Sequence, residues 1–326
     1  MKRFGLLLLL LLAATGSGSL GAQGPRLVVL NKEDATLVTV DPATGKVLGR
    51  VPTGEGPHEV AVSTDGKTAF VGNYGGATGP GNTISVVDLV AMKELRRFDV
   101  SPLRRPHGMF FADGKLYFTA ETNRLVARYD PASNAIDWLF GTGQASTHMV
   151  WVNPDATKMY TANIGSDSIT VIERGTNAQV WNETNVAVGK GPEGFDVSPN
   201  GRELWAAQSR DGGVSIVDLD QKKVVGTIAL GTKRSNRLKF TPDGKLALVS
   251  DLDAGEVLVI DVATRAVTKH IPLGKMVEGI LMQPDGARAY VAVNGDNYIA
   301  VIDLKTLAVT GRIEPGRGPD GMAWLK

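Results

Sequence analysis

The sequence contains no cysteine. That excludes a disulfide framework, a lipid-attachment site and a c-type haem site. It also lacks any strong excess of charge: 35 Lys and Arg stand against 34 Asp and Glu, a formal net charge of +1. A near-neutral chain without a strongly basic face gives no reason to expect a nucleic-acid partner. Long hydrophobic runs are missing everywhere except at the start, where Leu6–Ala14 is too short to span a membrane. Histidine is scarce, with four in the chain, so its placement carries information.

Lys2 and Arg3, the apolar stretch Leu6–Ala14 and the small-residue tail Gly16–Ala22 follow one another in the order of a secretory signal peptide. Cleavage is expected after Ala22, although Leu20 is a poor residue three places before the cut. Residues 1–22 are thus read as a leader and 25–326 as one folded domain, periplasmic or secreted, with no membrane span after cleavage. Loss of Lys2 and Arg3 takes the formal charge from +1 to −1.

What the chain has instead is repetition. Gly191–Gly231 holds four short apolar runs separated by turn residues: one ending at Ser198-Pro199-Asn200-Gly201, then Glu203–Gln208, Val214–Asp218 and Val224–Leu230. The Asn-Gly pair supplies the positive φ of a tight hairpin. The third run ends in a branched or aromatic residue followed by an acid. That pair recurs at Val40-Asp41, Val87-Asp88, Tyr129-Asp130, Ile172-Glu173, Val217-Asp218, Ile260-Asp261 and Ile302-Asp303, at spacings of 47, 42, 43, 45, 43 and 42 residues. Hairpin turns recur six times, from Asp65-Gly66 to Asp285-Gly286. A four-stranded sheet of this size cannot bury both faces alone and must stack on copies of itself.

The ends account for the missing seventh turn. After the leader the chain begins at a second run, Leu27–Asn31, and it ends on a first run, Gly318–Trp324. One blade is therefore expected to be completed by both termini, which hides the strand edges of an open array. The expectation is an all-β, seven-bladed propeller of four-stranded antiparallel blades, closed by N-terminal strands and the C-terminal innermost strand. Such a closed ring needs no second subunit, so a monomer is expected.

The units resemble the YVTN-type β-propeller repeats of exported bacterial proteins. The resemblance is carried by Val71-Gly72-Asn73, Tyr160-Thr161-Ala162-Asn163, the Asp-Gly turns and the Ser-Ile-Val-Val-Asp-like third strands, and it covers the whole chain after the leader. It implies the propeller and export. It implies no single activity, because propellers host enzymes, receptors and scaffolds alike.

Two insertions break the spacing: Tyr74–Asn82 in the second blade and Arg174–Asn185 in the fourth. Longer loops are candidate contact surfaces. Asp65-Gly66-Lys67-Thr68 looks like the end of a phosphate-binding loop, but Ala61 stands where its first glycine should be. Asp251-Leu252-Asp253 lacks the remaining ligands of a calcium loop and reads as a turn. The acids ending the third strands also suit turns.

Aligning the first runs on their hairpins brings one register into view. Where the chain enters each innermost strand stand His58, His107, His148, Glu193, Asn236, Glu278 and, in the closing strand, Asp320. Three of the four histidines share this register; His270 is expected on an outer, exposed strand. Innermost strands line a propeller's channel, so these side chains should form a ring at one mouth. Imidazoles mixed with carboxylates suit zinc, iron, copper or manganese, and oxygen ligands alone suit calcium. A divalent metal ion held by His58, His107, His148, Glu193, Glu278 and Asp320 is the cofactor expectation, with its identity open. The bland alternative is a wet channel mouth whose polar residues need no special cause.

The next position inward is Gly108, Gly194, Gly279 and Gly321 in four blades, and Glu59, Met149 and Arg237 in the others. Glycine permits close backbone approach where strands converge. Basic connectors feed the same mouth, among them Arg104, Arg105, Lys190, Lys233, Arg234, Lys275 and Arg317. Of these, Arg104, Arg105, Lys233, Arg234 and Arg317, with Arg237 further in, are the candidates for contacting an anionic ligand. Phe110 and Trp151 are expected to wall the channel, and Trp138, Trp205 and Trp324 to pack between blades.

Two functional classes stay open. One is an exported binding module for a small anionic ligand, a surface polymer or a protein partner. The other is a hydrolase or lyase of lactonase-like architecture, with His58, His107 or His148 as base and Glu193 or Glu278 as acid or metal ligand.

Overall fold

The computed structural model describes residues 24–326, and the expected leader lies outside the described residues. Among the described residues, twenty-eight strands form seven sheets of four. Six are antiparallel meanders of four consecutive strands, and the seventh takes its innermost strand from the C-terminal end. In the fifth blade the strands are Pro192–Val197, Glu203–Gln208, Gly213–Asp218 and Lys223–Ala229, within a residue or so of the runs read from the sequence. The first hairpin of that blade turns through Gly201 at φ +72°. The acids ending the third strands tie the next turn: the Asp88 carboxylate accepts from the amides of Val90 and Ala91, and that of Asp303 from Lys305 and Thr306. Glu173 departs from that role and pairs with Lys158 and Lys222.

Burial follows position within the blade. Second strands such as Lys115–Ala120 are buried on both faces because neighbouring blades cover them. Fourth strands such as Lys93–Asp99 alternate exposed and half-buried residues, as a sheet with one wet face must. Seven hydrophobic clusters result, one at each blade–blade interface. Trp205 is fully buried in one of them. Both insertions extend hairpins: the second blade's middle strands lengthen to Thr68–Gly76 and Gly79–Asp88, and the fourth blade's outer pair runs on to Arg174 and Trp181.

Closure is as expected. The C-terminal strand Pro319–Leu325 pairs antiparallel with Arg26–Asn31, and that sheet continues through Thr36–Val40 to Val47–Pro52. Each innermost strand touches the next, around to the start. Among the described residues, no helix is long and apolar enough to cross a membrane.

Candidate functional site at the mouth of the central channel

The ring read from the sequence owes its shape to a repeated irregularity. Every innermost strand breaks register with its neighbour at its second and third residues. Pro57 pairs with Asn73 and Val60 with Val71, so His58 and Glu59 together face one residue, Gly72. The same shift falls at His107, His148, Glu193, Asn236, Glu278 and Asp320. A bulge bends the strand and re-aims the side chain at that point. Here seven bulges at one register turn seven polar side chains toward one space.

The glycines beside them are required by close approach. A Cβ on Gly321 would come 2.2 Å from the carbonyl oxygen of His58, and one on Gly108 2.7 Å from that of His148. Gly194 and Gly279 meet the carbonyls of Asn236 and Asp320 in the same way. In each case the ring residue of the following blade occupies the space a side chain would need.

Arg237, which close packing could not explain, closes the channel. Its Nη2 donates to Glu59 Oε1 at 2.9 Å, joining the sixth blade to the second across the axis. Burial alone would lower the Arg237 pKa, but the carboxylates of Glu59, Asp320, Glu193 and Glu278 raise it. Burial pushes the Glu59 carboxyl up, and Arg237 offsets part of that. Arg237 lines two cavities. On the ring side is a polar cavity of about 520 Å³. On the other is an apolar one of about 360 Å³ walled by Phe110, Trp151 and Trp324 among others. Trp324 therefore faces the channel as well as packing on Tyr290, while Trp138 packs with Phe140 and Trp181 at the outer edge.

All seven ring residues line the polar cavity, in three sectors. The second to fourth blades supply imidazoles: ring centroids are 5.2 Å apart for His58 and His107 and 3.7 Å for His107 and His148. Burial drives the His58 pKa down to about 3 and holds His107 well below the ordinary histidine value, so both rings are neutral. The fifth and sixth blades supply Glu193, whose Oε1 accepts from Asn236 Nδ2 at 2.7 Å. The seventh and first supply Glu278 and Asp320, which share Lys32 Nζ at 2.6 and 3.3 Å. Burial, then the charge of Asp320, push Glu278 up to about 7. Burial would raise Asp320 as well, but Lys32 and Arg237 hold it below the usual carboxylate range.

Lys32, Tyr74 and Glu121 belong to the site and were missed in the sequence. Lys32 and Glu121 are the residues just after a second strand, as are Ile164, Ser209 and Leu252, which also line the cavity, and Tyr74 stands at the equivalent place within the lengthened strand Thr68–Gly76, where its pairing breaks register. They form a second tier above the ring. Tyr74 opens the insertion already marked as a contact surface. Arg105 Nη1 donates to Tyr74 Oη at 2.8 Å, Tyr74 Oη to Glu121 Oε2 at 3.0 Å, and His148 Nδ1 lies 3.0 Å from the same oxygen. Burial would raise Glu121, but the hydrogen bonds it accepts from His148 and Tyr74 help bring it below its ordinary value.

The basic connectors divide. Arg234 lines the cavity, and Arg105 acts one step back through Tyr74. Arg317 turns to Asp34, outside the cavity. Arg104 and Lys233 are absent from the lining, and their backbone amides are tied to Asn123 and Asp251. Arg210, not singled out in the sequence, lines the cavity beside Arg234. His270 is half-exposed on an outer strand beside Glu256, as expected. Among the described residues, no three His, Asp or Glu side chains converge where a metal ion could be shared. Three buried ring atoms instead have no hydrogen-bond partner: His107 Nδ1, His148 Nε2 and Asp320 Oδ1. An unpaired buried polar atom costs about 1–3 kcal/mol, and such atoms mark a place where something else can bond.

Comparison with known proteins supports the architecture. The chain superposes on a putative 6-phosphogluconolactonase from Bacteroides uniformis with a TM-score of 0.77 at 14% identity, over 92% of this chain and 99% of that one. A periplasmic gluconolactonase from Pseudomonas aeruginosa gives 0.75 at 17%, over 93% and 99%. Hydrazine synthase from Kuenenia stuttgartiensis gives 0.74 at 17%, over 85% and 92%. At such identities the likeness is one of fold. No curated protein matches the sequence. The profile of the YNCE-like beta-propeller family matches residues 10–325, and the chain belongs to that family.

Proposed function

We propose that this chain is an exported binding module whose channel mouth takes a small anionic ligand. One observation carries the reading: seven polar residues from seven blades line a single cavity of about 520 Å³, with the Arg237–Glu59 pair beneath it. A floored pocket suits a small molecule better than a surface polymer or a protein, which would need a broad contact face. Arg210 and Arg234 line this pocket with side chains 52% and 44% exposed; Arg210 Nη2 donates to the Ile164 carbonyl and Arg234 Nη2 lies 3.7 Å from Glu193, which leaves the remaining N–H groups of both for an anion. The reading needs no metal. Its test is a thermal-shift screen of small organic anions on the wild type and on R234A. Compounds that raise the wild-type Tm and lose that effect in R234A support it. A screen without hits, or hits indifferent to the substitution, contradicts it.

A second reading, hydrolysis of a lactone, is favoured by the His148–Glu121 hydrogen bond, and of the similar structures one is named a gluconolactonase and another a putative 6-phosphogluconolactonase. His148 Nε2 would take a proton from water as the water oxygen adds to the carbonyl carbon. Glu278, with its pKa near 7, would return a proton to the ring oxygen as the C–O bond breaks. Lactone turnover abolished in H148Q, with the fold intact, would favour this reading over binding alone.

A further inference from the structure

The hydrogen bonds around His148 and Asp320 define what a ligand in the mouth must offer. Arginine can only donate. Tyr74 Oη therefore accepts from Arg105 and gives its own proton to Glu121, whose Oε2 then accepts a second proton from His148 Nδ1. In the Nδ1–H tautomer that this contact selects, Nε2 presents a lone pair, and it has no partner. At the ring's other side, Asp320 Oδ2 faces Lys32 at 3.3 Å and His58 at 3.5 Å, while Oδ1 has no partner on a side chain 2% exposed. Both unpartnered atoms are thus acceptors. Both belong to side chains lining the one cavity that Arg210 and Arg234 also line.

We infer that the mouth takes a polyhydroxylated organic anion of sugar-acid size, whose hydroxyls donate to His148 Nε2 and Asp320 Oδ1 and whose carboxylate meets Arg210 and Arg234. The inference rests on the reading of the mouth as a ligand site. A neutral polyol satisfies the acceptors and leaves the guanidinium groups unused. An aliphatic acid does the reverse. The ring of His107 lies 3.7 Å from that of His148, and its own Nδ1 has no partner. It is the side chain that turns aside as a hydroxyl reaches Nε2. Glu121 is a positioning residue, acting through the tautomer of His148.

Isothermal titration with D-gluconate, sorbitol and hexanoate separates the contributions, since all three have six carbons and differ in charge and hydroxyls. Gluconate should bind at least tenfold more tightly than either of the others. D320N and R234A should each weaken gluconate tenfold or more; Arg234 is a surface side chain, so R234A keeps the test valid if D320N misfolds. In E121Q, imidazole ¹⁵N shifts should show His148 losing its single tautomer, while a merely structural Glu121 would leave them unchanged. Equal binding of sorbitol or hexanoate overturns the inference and leaves the mouth a site for another class of ligand. No binding of any of the three also overturns it, and the anion screen then decides separately whether the mouth binds anything.

Discussion

Arg237 and Glu59 stand on opposite sides of the propeller, 178 residues apart in sequence, and meet at 2.9 Å on its axis. Their pairing separates a polar cavity from an apolar one in a channel that would otherwise run through. R237A leaves the Glu59 carboxyl without its partner, and breaking a buried pair this way costs about 3–5 kcal/mol. The double substitution R237M/E59L should recover much of that loss. Urea denaturation of the two single variants and the double variant measures both. A loss below about 1 kcal/mol in R237A would mean that water already reaches the pair.

Two opposed pH effects are built into the ring. The His58 and His107 pKa values are depressed in the folded state, so their contribution is full above the unfolded value and is lost as pH falls. For His58 the window runs from about 6.5 down to about 3. Glu278 is raised from 4.5 to about 7, so its contribution is full below 4.5 and disappears as pH rises through 7. The stability of E278Q relative to wild type should therefore climb between pH 5 and 8, by at most about 1.4 kcal/mol per pH unit. Denaturation at several pH values reads the slope, and a difference that stays flat would contradict the raised pKa.

The seven-fold ring was legible because a repeat aligned on its hairpins places equivalent residues at equivalent heights. Its three histidines, three acids and Asn236 all reach the cavity. The second tier was not read, because no turn motif marks Lys32, Tyr74 or Glu121. A signal was present all the same: in several blades an Asn, Gln or Asp ends the second strand, as in Asn31, Asn163, Gln208 and Asp251, or stands where its regular pairing breaks, as Asn73 does, and the next residue enters the mouth. The basic connectors misled for a different reason. Charge on a loop says nothing of direction, and Arg317 finds Asp34 instead of the channel. The bulges were out of reach, since they exist only in the pairing of two strands.

Glycine at the axis gives a sharper contrast. G321A would place a Cβ 2.2 Å from the His58 carbonyl oxygen, and since the obstacle is backbone the strands must part. A loss of about 1–3 kcal/mol is expected. G141A meets nothing within 4 Å and should stay within about 0.5 kcal/mol of wild type. Equal effects at the two sites would show that the inner strands are further apart than described.

Removing residues 319–326 takes the innermost strand from the first blade. The edge of Arg26–Asn31 is then unpaired, and the clusters on either side of that blade lose Met322, Trp324 and Leu325. The shortened chain should aggregate or elute as an expanded species in size-exclusion chromatography. A compact, stable monomer would mean that closure contributes little.

The scarcity of histidine makes the most direct measurement possible. With ¹⁵N-labelled imidazoles the protein shows four histidine side chains, three in the ring and one, His270, on an outer strand. A compound that raises the Tm in the anion screen is then added in an NMR titration. His58, His107 and His148 should shift together in proportion to occupancy while His270 stays still. A saturable shift of His270 alone, or binding that leaves all four unmoved, would show that the ligand sits elsewhere.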